Sequence, residues 1–209
     1  MPRIEYRNAD GINLPGVTSI ISANLSWNKG ALLGWAYNQG KAGKPLRDQE
    51  ALDIGTITHK WTEADIKRKD FKMPDVTPEI KGKVENSFLA YLEWKDQVKF
   101  KLIKSELSLV SEKYQFGGTI DIIGEIKGKP AIIDIKTSDT IYIDHKIQVA
   151  AYHELYNENF LDEPITMCYI LKLGKKDGGF SYHYLPNLEN EWNVFLLLLQ
   201  IEEYRILLK

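Results

Sequence analysis

Between Gly117 and Thr137 the chain reads Gly-Gly-Thr-Ile-Asp-Ile-Ile-Gly-Glu-Ile-Lys-Gly-Lys-Pro-Ala-Ile-Ile-Asp-Ile-Lys-Thr, two isoleucine-rich runs joined by a turn of lysine, glycine and proline. In a strand successive side chains point to opposite faces. The pattern therefore predicts a hairpin whose first strand puts Ile120, Ile122 and Ile126 on one face and Thr119, Asp121, Ile123 and Glu125 on the other. In its second strand Ile132, Asp134 and Lys136 share a face, with Ala131, Ile133 and Ile135 behind them. Lys127-Gly128 and Gly128-Lys129 both serve as two-residue turns; the first sets Asp121 opposite Asp134, the second sets it opposite Lys136. Either register gathers the three groups on one side of the sheet. Carboxylates opposed there repel and resist joint ionisation, so such a site calls for a bound cation, and the lysine suits an anionic substrate.

An acidic residue on one strand followed by acid-x-lysine on the next, here Asp121 and Asp134-Ile135-Lys136, resembles the core of the PD-(D/E)XK nuclease superfamily. Gln148-Val-Ala-Ala-Tyr152 downstream and Gly55-Thr-Ile-Thr-His59 upstream are similar to elements of its RecB-like branch, which includes phage exonucleases and CRISPR-associated nucleases. From Val17 to Leu173 the resemblance implies an α/β fold with a mixed central β-sheet flanked by helices, a restriction-endonuclease-like core. It also implies metal-assisted hydrolysis of DNA phosphodiester bonds, most simply by an exonuclease of recombination, repair or phage DNA processing. On that reading His59, Asp121, Asp134 and the Ile135 carbonyl hold Mg²⁺ or Mn²⁺, while Lys136 orients or helps to deprotonate the attacking water. An imidazole ligand favours Mn²⁺. Gln148 and Tyr152, on one helical face, would contact a phosphate or Lys136, and Thr137 joins them in binding substrate. Two alternatives stay open: a structure-specific or single-strand endonuclease, and a non-catalytic DNA-binding module on the same fold, against which the intact Asp121, Asp134 and Lys136 set argues.

Composition narrows the setting. With 209 residues, 44% hydrophobic and 27% charged, the chain suits one globular domain. The expected division is a helical part over 1–76, carrying the histidine motif, and an α-βββ-α-β core with a closing strand and helix over 77–209. A net charge of -2 excludes a coat of positive charge, so nucleic acid would be met by local basic groups such as Lys127, Lys129, Lys175 and Lys176. The single cysteine, Cys168, permits no internal disulfide and fits the cytoplasm, that of the host for a viral protein. One cysteine also cannot build the four-cysteine iron–sulfur cluster of several RecB-like nucleases, so none is expected. No signal peptide or membrane span is expected.

Taken in order, residues 1–16 suggest an extended arm or hairpin turning at Asn8–Gly11, and Val17–Gln39 two short helices with Trp27 and Trp35 as core. Lys41–Pro45 reads as a linker. Leu52–Lys69 predicts a helix with Leu52, Gly55, His59 and Ile66 on one inward face. A histidine there suits a satisfied core position as well as a ligand; Gly55 permits close approach to the sheet, and the resemblance favours the ligand. Thr77-Pro78 starts a structural helix with Ile80, Val84, Phe88, Tyr91 and Val98 as its stripe. Ile103–Gln115 predicts a strand on which Glu106 is either a solvated edge residue or, by the resemblance, an acid of the site. A helix over Ile143–Asn157 and strands over Ile165–Leu173 and Phe180–Leu185 follow. The latter enclose a tip, Gly174–Gly179, whose Lys175 and Lys176 are either solvated or in contact with a nucleic-acid backbone. A closing helix, Asn190–Lys209, apolar on most sides, is expected to be buried on most sides, with surplus surface for a second copy or a recombination or replication partner.

Overall fold

The computed structural model describes residues 4–27, 29–43 and 49–208. Lys44 and Pro45 of the expected linker lie outside them. The elements are β1 (Tyr6–Arg7), β2 (Asn13–Leu14), α1 (Val17–Asn24), α2 (Lys29–Lys41), α3 (Gln49–Ile66), α4 (Pro78–Val98), β3 (Lys101–Ser111), β4 (Phe116–Ile126), β5 (Lys129–Lys136), α5 (Ile143–Asn159), β6 (Met167–Leu173), β7 (Phe180–Tyr184) and α6 (Glu189–Leu207). The central sheet has the order β3-β4-β5-β6-β7, with β5 and β6 parallel and the other pairs antiparallel. It is a mixed sheet flanked by helices, and its centre runs α4, β3, β4, β5, α5, β6, as the pattern predicts.

The β4–β5 turn takes the first of the two registers. Ile126 pairs with Lys129 across Lys127 and Gly128, whose φ values of 51° and 76° make the tight left-handed turn that matches strand twist. Five residue pairs then run back to Ile122–Ile133, which brings Asp121 to the level of Asp134. Helices α1, α5 and α6 cover one face of the sheet through a core containing Ile120, Ile123, Ile132 and Ile170. Helix α4 covers the other over Ile122, Ile133, Ile135 and Leu171, and α3 packs on α4 through Ile54, Ile57 and Val84. Thr77 caps α4 through the Ile80 amide at 3.3 Å, with Pro78 at its first position.

Along β4 strict alternation fails at one place, apart from the register shift between Leu102 and Lys104 of β3. Ile120 and Ile122 lie in opposite cores, although two residues apart in one strand. The β3–β4 pairing keeps one register from Ser105–Ile122 to Leu107–Ile120, and between these pairs Glu106, opposite Asp121, has a φ of 50°. A left-handed residue inside a strand rotates its pleat, so the two strands exchange faces there. The expected grouping of Ile120 with Ile122 and Ile126 is thereby corrected.

Two further corrections concern surfaces. Helix α6 buries Phe195, Leu198 and Leu199 but leaves Leu197, Ile201, Ile206 and Leu207 exposed, because α1, α5 and the Phe116 ring pack on one side of it. Trp27 is 65% exposed, while Trp35 is half-buried against a groove beside α1 and the start of α5. Among the described residues, no helix is long and apolar enough to cross a membrane.

The end of α4 is clamped on the sheet by the Phe100 ring, which occupies the space above Gly124; a Cβ there would lie 1.8 Å from Phe100 Cε2. Gly124→Ala should therefore cost about 1–3 kcal/mol by urea denaturation. In a Phe100→Ala background the same change should cost clearly less. Additive losses would show that the ring does not rest on Gly124.

Candidate active site

The site forms where β4 and β5 part. Asp121 closes the gap with its own side chain, Oδ2 accepting a hydrogen bond from the Ile135 amide at 2.8 Å. Its other oxygen lies 3.7 Å from His59 Nδ1. His59 comes from α3, which is held to α4 by Trp61 stacked on Phe88 at 4.0 Å and by Asp65, which accepts from Tyr91 Oη at 2.9 Å and Lys95 Nζ at 2.7 Å. Gly55 lets α3 come close to the end of β5: a Cβ there would sit 3.3 Å from Thr137 Oγ1.

The face exchange delivers the third group. His59, Glu106 and Asp121 each offer a ligand atom, all within 4.8 Å of one another. They line a cleft of about 520 Å³ with Leu52, Lys60 and Glu63. The Leu52–His59 stripe of α3 thus borders a cleft rather than the core, which is served by Ile54 and Ile57. Burial pushes Glu106 up to about 7, with Asp121 and Glu63 adding to the rise and Lys67 opposing it. Two acids and an imidazole so disposed are a donor set that fits a divalent cation.

Asp134 lies behind this group. It is 1% exposed, and its Oδ2 is 2.7 Å from Lys136 Nζ. Burial raises its carboxyl above the ordinary range, against the pull of Lys136 and with the help of Asp121. Oδ1 has no hydrogen-bond donor among the described residues, a costly vacancy for a buried carboxylate and one that a cation would satisfy. Burial works to lower Lys136, but Asp134 and Asp121 outweigh it and the ammonium is held. Lys136 Nζ also donates to Gln148 Oε1 at 3.2 Å, and Gln148 Nε2 donates to Tyr152 Oη at 2.9 Å. Of the two contacts open to the glutamine, the structure has the one to Lys136. Tyr152, 4% exposed, packs on Gly118 and reaches the site through Gln148.

The outer candidates separate. Lys127 and Lys129 sit at the hairpin tip, the opposite end of the strands from Asp121 and Asp134. Lys175 and Lys176 follow β6 at the Lys136 end, tied to Asp139. His145, which nothing in the sequence pattern singles out, stands near Lys136; burial first, then that ammonium, lowers its imidazole to about 4.

A mixed sheet with acids at its parted strands and a buried acid–lysine pair is the architecture of a nuclease fold. A profile of the PD-(D/E)XK nuclease superfamily matches residues 31–199, and the chain belongs to that superfamily. Among solved structures, a candidate exonuclease from Eubacterium rectale superposes with a TM-score of 0.53 at 16% identity, over 77% of this chain and 67% of that one. An alkaline exonuclease from Laribacter hongkongensis aligns over 88% of both chains at 13% identity and a TM-score of 0.42. Among curated proteins, none matches the sequence.

The raised Glu106 predicts a pH signature of the metal-free protein. A carboxyl that ionises near 7 when folded and near its ordinary value when unfolded gives stability that is complete below the unfolded pKa and lost as pH rises through about 7. Glu106→Gln should therefore stabilise the protein at pH 8 in chelator by about 1 kcal/mol, after allowance for solvent screening, and have little such effect at pH 5. Equal effects at the two pH values would mean that the Glu106 carboxyl is not held in its buried place beside Asp121.

Proposed function

We propose that the protein is a Mg²⁺- or Mn²⁺-dependent deoxyribonuclease, an exonuclease of DNA recombination, repair or phage DNA processing, formed as one domain. The observation that supports it is the meeting of His59, Glu106 and Asp121 within 4.8 Å, directly in front of a buried acid–lysine pair. His59, Glu106 and Asp121 would hold the cation, with Asp134 and the Ile135 carbonyl at its inner side. Such an ion neutralises charge on a phosphoryl oxygen and acidifies water. Asp121 is kept in place by the Ile135 amide, so it need not reorganise when a cation arrives. Lys136, charged and fixed between Asp134 and Gln148, orients a water toward the phosphate and balances negative charge on it. Gln148 and Tyr152 are positioning residues for Lys136. Any contact with a second copy or a recombination partner would use the exposed apolar face of α6.

Linear, nicked, flapped and circular DNA incubated with Mn²⁺ or Mg²⁺ test this reading. Linear DNA should be degraded from its ends and covalently closed circles spared; cleaved circles would make the protein an endonuclease. Lys136→Ala should lower the rate by about 10²–10³-fold. Asp134 should be changed to Asn rather than Ala, because removing a buried partner strands the lysine and costs about 3–5 kcal/mol. Undiminished turnover in both variants would dismiss the site.

A further inference from the structure

A second concentration of charge adjoins Lys136. Parallel pairing sets Lys172 beside Lys136, one strand spacing or about 4.8 Å across the sheet, and on the same face. Lys172, with Lys146 of α5 and His183 of β7, borders a separate pocket of about 440 Å³. Ile141 and Leu185 give it apolar walls, and Asp139 and Thr140 close one side.

The ammonium groups there outnumber the carboxylates. Asp139, the one carboxylate of the pocket, takes Lys176 at 2.9 Å and has Lys175 at 3.9 Å. Lys172 Nζ donates to the Asp139 backbone carbonyl at 3.2 Å and shares the pull of that residue's carboxylate with Lys175 and Lys176. Lys146 has no hydrogen bond or ion pair among the described residues. Both lysines are half-buried, so a charge brought between them is less screened than on an open surface. An anion there meets two ammonium groups. Ile141, Leu185 and the Tyr184 ring give the pocket an apolar side and it is of small-ligand size, which suits a sugar or base attached to that anion better than a bare ion.

We propose that this pocket holds the nucleotide next to the scissile one, with its phosphodiester on Lys172 and Lys146. The inference rests on the nuclease reading, which puts the phosphate to be cut in front of Lys136. A single strand crossing from Lys136 toward β6 meets Lys172 next and Lys146 beyond it. The Lys175–Lys176 tip, already engaged with Asp139, then frames the pocket instead of binding the strand first.

The test is the salt dependence of binding a fluorescent single-stranded thymidine oligonucleotide in Ca²⁺, beside cleavage of the same strand in Mn²⁺. Lys146→Gln with Lys172→Gln should flatten the logarithmic salt slope by about 1.4 units, two phosphate contacts at about 0.7 each. Lys146→Gln alone, on the first turn of α5, should give about half of that with the melting temperature retained. Lys127→Ala with Lys129→Ala removes the same charge at the remote hairpin tip and should leave the slope as it was. An unchanged slope in the pocket variants, or an equal change from the tip variant, overturns the subsite. A protein that cleaves no strand yet shows the predicted slope changes overturns the nuclease reading and leaves the subsite standing.

Discussion

The rest of the site depends on the hydrogen bond from the Ile135 amide to Asp121. Where β4 and β5 separate, the amide of Ile135 would lose its partner, and a buried donor without one costs about 1–3 kcal/mol. The carboxylate of Asp121 takes that place, which fixes one oxygen and leaves the other free toward His59. The backbone thus orients an acid that the site needs, and the parted strands leave room beside it for the Asp134–Lys136 pair.

Strain at Glu106 is the counterpart of this bond. A non-glycine residue in left-handed backbone costs about 1–3 kcal/mol and persists only where its surroundings enforce it. Here the enforcement is the two cores, which require Ile120 and Ile122 on opposite faces of the sheet. The same rotation brings a second carboxylate up to Asp121, against their mutual repulsion. Helix α3 completes the group, and its position is set by the run of ring contacts from Phe71 through Trp61 and Phe88 to Tyr91, each worth about 0.5–1.5 kcal/mol. A repelling cluster held together by packing on both sides is a site prepared for a cation.

The hairpin, the order of elements and the acid–lysine pair were legible because isoleucine alternation and a lysine–glycine turn leave few alternatives. The face exchange was not. Glu106 carries neither glycine nor asparagine to announce a left-handed residue, and period-two reading runs straight through it. For the same reason Glu106 stood equally as an edge residue and as an acid of the site until the strand register placed it opposite Asp121. In α3, Leu52, Gly55 and His59 make as good a stripe as Ile54, Ile57 and Trp61; the partners that decide which of them packs on the core lie on α4. In α6 the apolar residues encircle the helix, and composition alone does not say that only one side has neighbours. Lys172 sits beside Lys136 only through the parallel β5–β6 pairing, a relation between residues far apart in the chain.

The most direct test of this account is the anomalous scattering of Mn²⁺ in crystals of the unaltered protein. The account predicts a peak bounded by His59, Glu106 and Asp121, with Asp134 at its inner side. A peak elsewhere, or occupied density that leaves Glu106 turned away from Asp121, would contradict it.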